Sequence, residues 1–182
     1  RTHCARHHAT KLPDTPMHNG SLRPNPHTPH PNLANSKNEH QLHTPLVHGL
    51  ARAMARFAAA DSGGSRERAM ARLRQAMVAH PELVAGEGRA CTSLMRATGG
   101  KVAVKTGAEA VFVAILPELR RGIALKVVDG GTRASEAAIT ALLVRLGALS
   151  AGHPVVGKYL TDPMRNRRGI AVGGMRLAAG FA

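Results

Sequence analysis

The chain has 182 residues, a formal net charge of +14, two cysteines, no tryptophan, one tyrosine and three phenylalanines. That length suffices for one domain with a real core, while two cysteines in unlike contexts exclude a disulfide framework and fit a reducing cytoplasm. No apolar run reaches membrane-spanning length, the opening residues lack the pattern of a secretory signal, and so few aromatics leave little to stack on single-stranded nucleic acid.

Composition shifts along the chain. Residues 1–45 hold seven of the eleven prolines and eight of the eleven histidines, with few large apolar side chains and no regular period. The run Pro24-Asn25-Pro26-His27-Thr28-Pro29-His30-Pro31 cannot sustain a helix. Disorder is the expectation for this segment, or a stretch not read in its native frame. Residues 46–182 are expected to form the folded part. They carry twenty Lys/Arg against nine Asp/Glu. This excess is dominated by arginine on helix outer faces and at Arg165, Arg167 and Arg168, without a docking motif, so nucleic acid is not the first expectation; a non-enzymatic basic nucleic-acid-binding or interaction protein using 165–168 and the outer face of 65–79 is the alternative.

The first helix is expected to end over 50–59, with Leu50, Met54, Phe57 and Ala58 on one face. Asp61-Ser62-Gly63-Gly64 separates it from a second helix over 65–79. There Met70, Leu73, Met77 and Val78 read as inward and Arg66, Arg68, Arg72 and Arg74 as outward. Pro81 closes that helix, and a third, short one starts near Ser93.

Val102-Ala103-Val104 then reads as a strand leading into Lys105-Thr106-Gly107, followed by strands over 110–116 and 123–128 about a turn at 117–122. Near-continuous apolar strands indicate a sheet covered on both faces. Asp129-Gly130-Gly131 is a turn, Thr132 the expected N-cap, and 133–149 a helix with Ala137, Ala138, Ala141, Leu142, Val144, Leu146 and Leu149 at helical spacing. Arg133 and Glu136 are spaced for an intrahelical pair. Cys91 reads as a small buried apolar residue.

A Lys-Thr-Gly closing a short apolar strand is one of three motifs shared by serine β-lactamases and penicillin-binding proteins. The order of strands and long helix after it resembles the end of such a domain. The expected class is therefore α+β: a partial β-lactamase/penicillin-binding-protein-like domain, its antiparallel sheet packed with helices, behind a disordered N-terminal segment.

Six stretches carry a more specific resemblance. They are Leu50-Ala51-Arg52-Ala53-Met54-Ala55-Arg56-Phe57, His80-Pro81-Glu82-Leu83-Val84-Ala85-Gly86 and Cys91-Thr92-Ser93-Leu94-Met95-Arg96-Ala97. After them come Val104-Lys105-Thr106-Gly107-Ala108-Glu109, Gly122-Ile123-Ala124-Leu125-Lys126 and Asn166-Arg167-Arg168-Gly169-Ile170-Ala171-Val172-Gly173. In this order they resemble the C-terminal portion of the rhizobial-type, thermolabile L-asparaginases, the asparaginase II family.

The resemblance implies a β-lactamase-like hydrolase acting on a linear amide, converting L-asparagine to L-aspartate and ammonia through serine–lysine pairs. Lys105 matches the family's catalytic lysine. Thr106, Gly107 and Glu109 are the expected substrate-binding residues, Glu109 alternatively pairing with Lys105 or standing exposed. L-asparagine is the implied partner, and a homodimer is left open.

None of Ser21, Ser36, Ser62, Ser65, Ser93, Ser135 and Ser150 has lysine three positions on. The Ser-x-x-Lys half therefore lies elsewhere, and a chain opening on Arg1 is expected to be a fragment, incomplete or inactive alone. No cofactor is required. The resemblance also implies a metal site from a Cys-Ser-Gly-Lys-His-Ala segment, to which Cys4-Ala5-Arg6-His7-His8-Ala9 corresponds. Cys4 and His7 are then candidate zinc ligands in an incomplete set. Val128 and Arg167 depart from the family's usual acidic and aromatic residues.

Overall fold

The computed structural model describes residues 6–11, 39–61 and 63–181, with side chains from Leu46 onward. Four strands, β1 (Arg6–Lys11), β2 (Ala103–Thr106), β3 (Val111–Leu116) and β4 (Arg121–Lys126), form one antiparallel sheet in the order β1-β4-β3-β2. Helices α1 (Glu39–Ala59), α2 (Ser65–Ala79), α3 (Pro81–Ala85) and α4 (Ala90–Ala97) precede β2, and α5 (Thr132–Arg145) follows β4. A short helix α6 (Pro154–Val156) runs into a π-turn at Gly157–Thr161, and a small hairpin, β5 (Met164–Arg165) and β6 (Ala171–Gly173), comes next. The chain is α+β, as its pattern of elements indicates.

The covered sheet is confirmed by how burial alternates. Phe112, Ala114, Leu116, Ile123 and Leu125 point into one core with Leu94, Met95, Ile139, Leu142 and Leu143, from α4 and α5. Ala103 and Ile115 point to the opposite face and cluster with Ala58, Met54 and Phe57 of α1. Period-2 alternation thus sends apolar side chains both ways, which is why β3 and β4 show no polar face.

Several boundaries differ from the sequence expectation, each for a physical reason. Strand β4 starts at Arg121, two residues early, because α1 lies directly over Gly122. A Cβ at Gly122 would fall inside the backbone of Ala51, Met54 and Ala55, so only glycine permits this approach. The same contact selects the buried line of α1: Ala51, Ala55 and Ala58 are fully buried, while Leu50, Met54 and Phe57 are only partly covered.

Residues 6–11, inside the segment expected to be disordered, form β1 and pair with β4, His7 opposite Leu125. An edge strand of this kind is recruited by backbone hydrogen bonding and needs no apolar period. Helix α1 also begins earlier, at Glu39, and passes through Pro45, a residue that argues against a helix interior in sequence. The remainder of 1–45 lies outside the described residues.

On α2, Leu73 is exposed and Arg74 is buried, the reverse of the helical-wheel expectation. Arg74 Nη1 donates to the carbonyls of Phe57, Ala58 and Ala60 at 2.9, 3.3 and 3.4 Å, and Nη2 pairs with Asp61 at 3.3 Å. The guanidinium therefore satisfies orphan carbonyls at the end of α1, where the helix dipole favours a cation. Helix α4 begins at Ala90, earlier than expected, and α5 at Thr132, with Gly131 as N-cap in place of Thr132.

Helix α5 stops at Arg145 because Gly147 adopts φ +70. Its N–H donates to Val144 O and that of Ala148 to Leu143 O, both at 2.9 Å, the paired bonds of a Schellman stop. Among the described residues no helix is long and apolar enough to cross a membrane.

Candidate active site

Lys105 and Thr106 end β2, one of the two edge strands of the described sheet, and Gly107 follows directly. Lys105 is exposed, and its Nζ donates to the Thr106 carbonyl at 2.9 Å. The Thr106 N–H donates to Cys91 Sγ at 3.2 Å, so the first turn of α4 braces the strand from its buried side. Cys91 is 1% exposed, as expected of a buried small residue. Burial pushes its thiol up, while the Thr106 N–H and the charges of Lys105 and Arg89 pull the other way.

Gly107 closes the hairpin through its N–H to Val111 O at 2.7 Å, and Thr106 Oγ1 stands 3.4 Å from the same carbonyl. Between them the backbone is forced. Glu109 (φ 51, ψ 44) and Ala110 (φ 58) are both left-handed without being glycine, at about 1–3 kcal/mol of local cost each. Lys126 holds the turn: its Nζ donates to the Glu109 carbonyl and lies 3.7 Å from the Glu109 carboxylate. Glu109 therefore pairs with Lys126, not Lys105, and its side chain is otherwise exposed at 84%.

A second polar group, which sequence reasoning missed, flanks this hairpin. Tyr159 OH, in the π-turn, is 3.3 Å from Ser93 Oγ on α4, and Lys158 Nζ reaches Gly88 O at 3.5 Å while lying 4.9 Å above the Tyr159 ring. Glu136 of α5 is partly buried, and it does not pair with Arg133, whose Nη1 instead contacts Met164 Sδ at 2.8 Å. Burial holds the Glu136 carboxyl above its ordinary value, with Arg89 and Lys158 opposing. One sequence signal was available: Glu136 is the only charged residue between Arg133 and Arg145 on a helix otherwise packed into the core.

The two candidate zinc ligands do not bear on this geometry. Cys4 lies outside the described residues, and only the backbone of His7 is described, in β1. Among the described residues no group of three or more His, Cys, Asp or Glu side chains could hold a metal.

These elements define an α+β domain that presents a lysine, a hydroxyl and a bare glycine backbone at one sheet edge, over a buried thiol. Residues 41–177 match the family model for L-asparaginase II, and the chain belongs to the asparaginase II family. No curated protein matches the chain.

Proposed function

We propose that Lys105, Thr106 and Gly107 form the lysine-bearing side of a site that hydrolyses the side-chain amide of L-asparagine. The observation that carries this is the position of the Lys-Thr-Gly on the edge strand β2, within the region matched to the L-asparaginase family. The strand end turns the exposed Lys105 amine, the loosely held Thr106 hydroxyl and the exposed Gly107 backbone towards a small polar substrate.

In this reading a serine hydroxyl attacks the amide carbon as the neutral Lys105 amine takes its proton. The tetrahedral intermediate collapses when the amide nitrogen receives a proton and leaves as ammonia. Water then cleaves the resulting serine ester, giving L-aspartate and the free serine. No hydroxyl among the described serines bonds Lys105. The nucleophile is supplied by a Ser-x-x-Lys segment placed against β2. Such a segment would also cover Lys105, and burial is what favours the neutral amine that the step requires.

Interception by hydroxylamine tests the covalent step. With a Ser-x-x-Lys segment present, a serine ester partitions between water and hydroxylamine, so β-aspartyl hydroxamate should form while ammonia release continues at the same rate or faster. Ammonia release with no hydroxamate at any hydroxylamine concentration would contradict the serine–lysine reading and point to direct attack by water.

A further inference from the structure

The turn between β3 and β4 lies at the far end of the sheet from the Lys-Thr-Gly. Lys105 and Thr106 pair with Val113 and Phe112 near the start of β3, whereas the turn follows Leu116 at its end. The Arg120 N–H closes this turn by donating to Pro117 O at 2.9 Å, and Arg120 itself takes φ +48. Glycine or asparagine is the ordinary occupant of such a left-handed position, so an arginine there is a net cost to the fold. The reason for it lies in the side chain.

That side chain lines a cleft of about 410 Å³ together with Glu118, Leu119, Arg121, Arg145 and Leu146. Arg145, the last residue of α5, donates from Nη1 to the Phe181 carbonyl at 3.0 Å, which fixes its guanidinium in place. Among the described residues the guanidinium groups of Arg120 and Arg121 have no hydrogen bond and no ion pair. The one carboxylate in the lining, Glu118, already has a partner in Lys101, whose Nζ lies 3.4 Å away. Three permanent cations thus share one concave surface, and like charges held together without a counter-ion repel. Guanidinium forks match phosphate oxygens two at a time, and Leu119 and Leu146 add an apolar wall.

We propose that this cleft binds a small phosphorylated ligand, its phosphates on Arg120, Arg121 and Arg145 and its organic part against Leu119 and Leu146. The volume is that of a small-molecule site. No residue of the cleft belongs to the Lys-Thr-Gly hairpin, so this site and the amidohydrolase reading stand or fall separately.

Titration calorimetry of the full chain at physiological ionic strength, with ADP and with adenosine, which lacks only the phosphates, tests the site. ADP should bind and adenosine should not. Arg120→Gly should weaken ADP by about tenfold or more, with an unfolding midpoint equal or higher, because glycine accepts φ +48. Arg121→Gln should give a comparable loss without touching the turn. Arg167→Gln removes the same charge from the loop between β5 and β6, outside the cleft, and should leave ADP binding unchanged. Absence of ADP binding, or equal binding of adenosine, would overturn the site. Equal losses in the Arg120, Arg121 and Arg167 variants would also overturn it, by showing that net charge alone attracts the anion.

Discussion

Arg74 shows how far a single side chain can depart from its place on a helical wheel. It lies in an arginine-rich stretch whose neighbours are solvated, yet it is 9% exposed and donates to three carbonyls at the end of α1. Truncating it removes their side-chain donor and leaves the buried Ala58 and Ala60 carbonyls without it. Arg74→Met should therefore lower stability by about 2–3 kcal/mol in urea denaturation. Asp61→Asn should cost much less, because Asp61 is 64% exposed. Glu136 makes a prediction of opposite character. Its carboxyl is raised by burial, so the folded chain binds that proton more tightly than the unfolded chain. Its contribution is intact below the ordinary value of 4.5 and is lost as pH rises through the raised one. Relative to Glu136→Gln, the unaltered protein should lose stability as pH rises through this window.

At the scale of elements, packing of α1 on β4 explains both what the sequence revealed and what it hid. The apolar runs of β3 and β4 announced a sheet covered on both faces, and the 3.6 period announced α5. The Gly122 contact is invisible to periodicity, because glycine carries no side chain to count. It nevertheless decides where β4 begins and why alanines line the buried face of α1. Gly122→Ala puts a methyl group into helix backbone that cannot yield as a side chain would. It should cost about 3 kcal/mol or more, read from the denaturation midpoint. Residues 6–11 and the first turns of α1 were missed because backbone pairing and tertiary docking override weak local propensity there. The Lys-Thr-Gly hairpin itself was legible, since its three residues and flanking strands carry a signature. The left-handed Glu109 and Ala110, clasped by Lys126, were not, because nothing in their residue types demands that conformation.

For the molecule as a whole, the sheet order is the functional fact. Strand β1 pairs with β4 at one side, which leaves β2 and its Lys-Thr-Gly at the other. The sequence pointed to Lys105 through its motif but gave no hint of the Ser93–Tyr159 pair, whose partners lie 66 residues apart. The most direct test is release of ammonia and L-aspartate from L-asparagine by the chain extended upstream with a Ser-x-x-Lys segment, beside its Lys105→Met variant. The account predicts equimolar products from the first and a rate lower by about 100-fold or more in the second, with the fold unchanged. No turnover by the extended protein, or turnover indifferent to Lys105→Met, would contradict it.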